Sequence, residues 1–210
     1  MNTATELSAK SRAPHLGPER RRPLVLDAAL EIAVESGIGS VTIGSVAERM
    51  GVTRPVVYKC FGDRIELIQE LIQREGTQLL DGLLDAMHQS RGPDPETAFV
   101  TGYTAMLRFI ESRPGAWRLL FAADPDPAVA VRFSMARQAV AYHASRWIRP
   151  ALESWWGKTD LDKKMPTLIE LFMSSCEASA RTLLNPDESW TPDELGALYG
   201  RMICRAYEAA

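Results

Sequence analysis

Cysteine is scarce in this chain, and what there is does not pair. Cys60, Cys176 and Cys204 are an odd number at wide spacings. They form neither a disulfide framework nor a paired metal motif, which fits a reducing cytoplasm. Long apolar runs are missing too: no stretch approaches the roughly 18 residues that a membrane span needs. The opening MNTATELSAKSRAPHLGPERRRP has no apolar signal core, so export is not expected. An excess of charge of one sign is also lacking. Lys and Arg number 24 against 27 Asp and Glu, a net charge of −3. That excludes a histone-like protein coating DNA by bulk charge, though not a local basic surface.

The chemistry of common enzymes is equally thin. No Gly-x-Ser-x-Gly elbow or His-Glu-x-x-His pair occurs, and the three histidines are scattered. Gly39–Ser45, GSVTIGS, echoes a phosphate loop, but it lacks the Lys before the Ser and follows no strand. Asp85 and His88 have carboxylate–His spacing, yet a di-metal bundle needs a second such motif. No enzyme activity, cofactor or metal is expected.

What is present is helix from end to end. Apolar residues make up 46% of 210, enough for a sizeable buried core. Residues 1–18 are polar, carry two prolines and show no periodicity, and so read as a mobile arm. Val25, Ala28, Ala29 and Ile32 then recur at helical spacing up to Gly37. Thr42 precedes a short run ended by Gly51, and Thr53 opens another containing Pro55. Asp63 caps a longer helix, and RGPDPE at 91–96 is a turn. Arg113-Pro114-Gly115, Pro125 and Pro127 punctuate the middle of the chain. The helix after Pro127 carries Val129, Phe133, Ala136, Val140, His143 and Trp147 as one stripe, which Pro150 kinks or ends. Two more helices, about 163–184 and 192–208, are apolar over most of their circumference, with Glu170, Ser174, Glu177 and Arg181 as a narrow polar strip on the first. A terminal helix buried on more than one side points to a partner beyond its own core. The fold class is all-α, with about nine helices.

Two short helices joined by Gly51-Val52-Thr53 have the form of a helix-turn-helix. Val46, Ala47, Val52 and Val57 can pack them together, leaving Arg54, Pro55 and Lys59 outward with Tyr58 near the far end, where Tyr58 and Phe61 also fit simple core packing. Arg suits guanine edges in a major groove, Lys and Tyr suit phosphates, and Thr42 and Thr53 add hydroxyls at helix starts. Arg20-Arg21-Arg22 either tracks phosphates or is a solvated charge run. Residues 1–75 hold ten basic and ten acidic side chains. Affinity for DNA must therefore come from placement, with Glu31 and Glu35 turned away.

Over Arg21–Leu71 the chain resembles the TetR (tetracycline-repressor-like) transcriptional regulators. Thr42, Val46-Ala47, Gly51-Val52-Thr53, Tyr58, Phe61 and Arg64 match the family pattern in order. Cys60 stands where the family often has His, and Arg64 replaces the commoner Lys. The resemblance implies residues 19–65 as a DNA-binding domain and residues 66–210 as a helical ligand-binding and dimerisation domain. It implies phosphate contacts from Thr42, Thr53, Tyr58, Lys59 and Arg64, and base-facing positions at Arg54, Pro55 and Val56. It further implies a homodimer built by the last two helices on a near-palindromic operator, and a pocket between about 95 and 180 for a small-molecule inducer. Candidate pocket walls are Tyr103, Met106, Leu107, Trp117, Phe121, His143, Trp147, Phe172, Met173 and Cys176. Their chemistry suits an apolar or aromatic molecule. Each of them also fits an ordinary core position. The expected protein is a cytoplasmic repressor released from its operator by ligand. A helical adaptor with a vestigial DNA motif is the alternative, which Arg54, Lys59 and Arg64 argue against.

Overall fold

The structure is a computed structural model that describes residues 17–89, 92–120 and 127–210. Residues 1–16, most of the expected arm, and Phe121 lie outside it. Among the described residues there are nine α-helices and no strand. They are α1 (Pro18–Ser36), α2 (Ile43–Arg49), α3 (Arg54–Tyr58), α4 (Arg64–Gln89), α5 (Pro95–Ser112), α6 (Pro114–Leu120), α7 (Pro127–Trp156), α8 (Leu161–Leu183) and α9 (Pro192–Ala209).

Local chemistry sets most of these ends. Thr42 Oγ1 accepts from the Ser45 amide at 2.9 Å while Ser45 Oγ accepts from the Thr42 amide, a reciprocal box that starts α2. Asp63 caps α4 and Asp94 caps α5 through their side-chain oxygens. Thr191 and Glu194 form a second box around Pro192 at the start of α9. Gly37 closes α1 at φ 81°, a left-handed geometry that a side chain resists.

Two expectations need correction. Helix α1 begins at Pro18, inside the expected arm, because proline suits a first helical turn where its missing N–H has no partner to lose. Pro150 does not end α7, which continues to Trp156. Pro150 is exposed, so the carbonyl it leaves unpaired faces water, and the break is tolerated.

The helices α1–α3 pack on the first half of α4 through Val25, Ala29, Val46, Val57, Phe61, Leu67 and Leu71, all essentially sealed from solvent. The division expected at residues 65 and 66 falls in the first turn of α4. That helix runs on unbroken beside α5 and α7 and so is common to both halves. In the larger half, α5 and α9 lie unusually close. A Cβ on Gly196 or Gly200 of α9 would sit within 2.8 Å of backbone atoms of Thr104 or Val100, so only glycine fits.

Candidate nucleic-acid interface and effector cavity

Between α2 and α3 the chain reverses at Gly51, whose φ is 64°. Val52 N–H donates to the Ala47 carbonyl at 2.9 Å and fixes the turn. Behind α3, Val57 and Phe61 are buried, at 0% and 1% exposure. That anchors the helix by its inner face, so Thr53, Arg54, Pro55, Tyr58 and Lys59 are all exposed, with Val56 half-buried at the edge. Thr42 is exposed at the start of α2. The Arg54 guanidinium lies across Gly44, 3.1 Å from where a Cβ would stand. Seven of the eight residues read from the sequence thus lie on or at the edge of one outer surface.

Arg64, the eighth, is employed differently. Its Nε donates to the Val41 carbonyl at 2.7 Å and its Nη2 to the Ile38 carbonyl at 3.1 Å. The guanidinium therefore ties the α1–α2 connection to α4 through two of its nitrogens, in a half-buried position. Arg22 is tied down in the same manner. It donates to the Cys60 carbonyl at 2.5 Å, pairs with Glu66 and Glu70, and stacks 4.4 Å above the Phe61 ring. The Arg20–Arg22 run is thus not one solvated patch, since Arg22 holds α1 against α3 and α4. Arg49 pairs with Glu31 at 3.1 Å and Glu35 at 2.5 Å, and its guanidinium holds the Glu35 carboxyl below the usual range. The single guanidinium thus bridges α1 and α2 and offsets one of the two carboxylate charges. Cys60 is buried, its Sγ near the Val56 and Pro18 carbonyls, and burial pushes its thiol pKa up. It fills space.

The larger half encloses a cavity of about 270 Å³ between α4, α5, α6, α7 and α8. Tyr103, Met106, Trp117, Trp147, Phe172, Met173 and Cys176 line it, as read from the sequence. Two others do not. His143 is exposed on the outer side of α7, edge-on to Tyr142, and Leu107 is fully buried in the core away from the cavity. Both sit on apolar helical stripes, and a stripe spans more of the circumference than the cavity wall occupies. The sequence reading also missed a whole wall. Ile72, Gln73, Gly76, Thr77, Leu79, Leu80 and Leu83 of α4 line it, as do Phe99 and Leu120. The only signal was the breadth of the apolar face on α4, and that face is equally explained by core packing.

Several polar groups at the cavity are paired with one another. Tyr103 Oη and Ser175 Oγ are 2.5 Å apart, and Ser175 donates to the Phe172 carbonyl at 2.7 Å. Burial raises the Tyr103 pKa and pushes the Cys176 thiol up to about 12. Arg137 Nε meets Glu177 at 2.9 Å while its Nη2 meets Glu170 at 2.7 Å. The expected polar strip of α8 is therefore bonded to α7 through two of its members.

Behind the cavity wall, α4 carries a buried carboxylate. Glu75 is 0% exposed and is held by Arg74 at 2.7 Å and Arg113 at 3.3 Å. Arg74 also reaches Asp27 at 2.7 Å and the Pro23 carbonyl at 3.3 Å, both on α1. Arg113, between α5 and α6, also bonds Gln78. A chain of charges thus connects α1 to the α5–α6 joint, and Gly115 in α6 packs directly on Val34 of α1.

On the other side of the molecule Leu171 of α8 and Leu198 and Met202 of α9 are 41%, 38% and 55% exposed. Among the described residues no group of three His, Cys, Asp or Glu is arranged to hold a metal. None of the described helices is long and apolar enough to cross a membrane.

Residues 25–71 match the family described as "Bacterial regulatory proteins, tetR family". Over 130 residues the chain is 30% identical to the HTH-type transcriptional activator FasR of Mycolicibacterium smegmatis, a match covering 61% of this chain and 58% of that protein. Over 87 residues it is 30% identical to the HTH-type transcriptional regulator SrpR of Pseudomonas putida, covering 33% of this chain and 41% of the relative. The matches thus span less than two thirds of the length of these relatives. The fold superposes on a TetR-like transcriptional regulator from Rhodococcus sp. RHA1 with a TM-score of 0.70, over 93% of this chain and 98% of that one at 19% identity, a likeness of fold alone.

Proposed function

We propose that the chain, whose residues 25–71 match the tetR family of bacterial regulatory proteins, is a sequence-specific DNA-binding transcriptional regulator and not an enzyme. It works in the cytoplasm as a homodimer and is released from a near-palindromic operator by a small molecule. The observation that carries this is the two-sided anchoring of α3. Val57 and Phe61 bury its inner face and leave Thr53, Arg54, Pro55, Tyr58 and Lys59 together outside. Arg54 and Pro55 face base edges, with Thr42, Thr53, Tyr58 and Lys59 on the flanking phosphates. One copy supplies one such helix. Two copies joined through α8 and α9, whose outward Leu171, Leu198 and Met202 need cover, place two of them about 34–36 Å apart, one helical turn of DNA.

The cavity is the effector site. A ligand there shifts the balance between two arrangements only as far as it binds them unequally. The route we assign runs through Arg113, Glu75, Arg74 and Asp27, because these charges touch the cavity-bearing half at one end and α1 at the other. Ligand release makes the protein a repressor.

The test is retardation of a DNA fragment from beside the protein's own gene, with the complex weighed by sedimentation. We expect a dimer per operator, weakened by salt and lost in Lys59→Ala. A monomeric complex, or a shift identical in Lys59→Ala, would refute the reading.

A further inference from the structure

The cavity's charged lining consists of two side chains among the described residues, Arg137 and Glu177. Both are already partnered. Arg137 bridges Glu177 at 2.9 Å and Glu170 at 2.7 Å, using Nε for one and Nη2 for the other. Glu170 accepts in addition from Ser174 Oγ at 3.2 Å. The three groups together carry one negative charge in excess. Arg137 and Glu177 are mostly withdrawn from water, at 29% and 21% side-chain exposure, whereas Glu170 is 61% exposed. The rest of the wall is mostly aromatic, aliphatic or sulfur-bearing, its neutral polar members including Gln73 and Thr77 of α4 and Tyr103, whose hydroxyl is taken by Ser175.

An anionic ligand entering this space meets Glu177 and finds the single cation shared between two carboxylates. A cationic ligand meets the Arg137 guanidinium and must take Glu177 from it. In either case an ion leaves water for a site whose opposite charge is already engaged, with no free counter-charge among the described lining residues to offset its lost hydration. A neutral molecule meets no such penalty and gains from the apolar wall.

We infer that the cavity selects an uncharged lipophile, one carrying no more than a hydroxyl or carbonyl group, and discriminates against carboxylate, phosphate and ammonium ligands of the same hydrocarbon size. This rests on the reading of the cavity as the effector site and adds to it the charge class of the effector. Thr77 and Gln73, both exposed residues of α4 that line the cavity, offer neutral polar groups that suit such a ligand.

The test titrates the full-length protein at neutral pH with two matched sets of probes. One is decanol, decanoate and decylammonium, and the other is naphthalenemethanol, naphthoate and naphthylmethylammonium. Trp117 and Trp147 line the cavity and report binding by fluorescence. In each set the alcohol is expected to bind about tenfold more tightly than either ion, a difference of about 1.4 kcal/mol. Glu177→Gln removes the excess negative charge, and decanoate affinity should then rise about fivefold while decanol stays within about twofold. Glu170→Gln, at the exposed end of the bridge, should move decanoate the same way and keeps the test available if Glu177→Gln fails to fold. An ion binding within about threefold of its alcohol in either set, or a decanoate affinity indifferent to both substitutions, would overturn the inference alone. Silence from all six probes would overturn it together with the effector reading, leaving DNA binding untouched.

Discussion

The two halves of this chain differ in how their working surfaces are made. The outer face of α3 is built from residues close in sequence, and a turn at Gly51 with one buried row behind the helix suffices to present it. The cavity draws its walls from five helices spread over about half the chain. A surface of the first kind follows from local rules of capping, turning and periodicity. One of the second kind depends on which side of each apolar stripe happens to face the gap when the helices pack. The first half is therefore the one where substitutions should act singly, the second where they act through packing.

Truncating the inner anchor should produce the largest effect. Phe61→Ala removes a fully buried ring and the surface over which Arg22 stacks at 4.4 Å. We expect a loss of about 4 kcal/mol in stability, read by urea unfolding, with the backbone amides of α1–α3 losing hydrogen-exchange protection first. If DNA binding survives at wild-type affinity, α3 is not held by its inner face and the comparison collapses. Next comes Glu75→Leu, which leaves Arg113 and Arg74 beside a buried apolar group. Two guanidiniums lose a shared partner, though both are partly solvated and Arg74 retains Asp27, so about 2–3 kcal/mol is expected, a fall of roughly 5–10 °C in Tm. An unchanged melting point would show that the charge chain joins nothing.

On the outer face the effects should be smaller in stability and confined to DNA. Arg54→Ala is expected to weaken operator binding by about 2 kcal/mol and to relax the preference at one base position, leaving Tm within about 1 °C. Removing the reciprocal box at α2 with Thr42→Ala should cost about 1 kcal/mol of stability, because the Ser45 amide loses its 2.9 Å partner. The smallest effect is a null result at neutral pH. Burial pushes the Cys176 thiol up to about 12, against about 8.5 for a thiol in an unfolded chain. Below about pH 8.5 this difference favours the fold in full, and the benefit fades as pH rises through that window toward the folded value. Alkylation of Cys176 by iodoacetamide should thus be negligible at pH 7 and appear only with unfolding. Rapid labelling at pH 7 would mean that the cavity opens far more widely than its packing indicates.

How much of this was legible beforehand follows the same division. The all-α class, the helix-turn-helix and seven of the eight outer-face positions were readable, because Gly51, Thr42 and the spacing of Val46, Val57 and Phe61 act within a few residues of one another. Spacing does not reveal the clamped position of Arg64. The carbonyls of Ile38 and Val41 reach it only after α4 docks beside the α1–α2 connection. Arg22 carries the same lesson. In the larger half, His143 and Leu107 shared helical stripes with true lining residues and were placed with them. The α4 wall of Gln73, Gly76 and Thr77 went unseen because it looks like an ordinary amphipathic helix. The charge match of Arg137 with Glu170 and Glu177 joins residues 33 and 40 apart, and periodicity carries no record of it.

The most direct test of the central claim, that the outer face of α3 reads DNA sequence, is selection of bound duplexes from a random pool by the full-length protein, repeated with Arg54→Ala and followed across salt. The account predicts a near-palindromic consensus with half-sites one helical turn apart, an affinity falling steeply as salt rises, and loss of discrimination at one position of each half-site in Arg54→Ala. A pool that yields no consensus, or one that Arg54→Ala recovers unchanged, would contradict it.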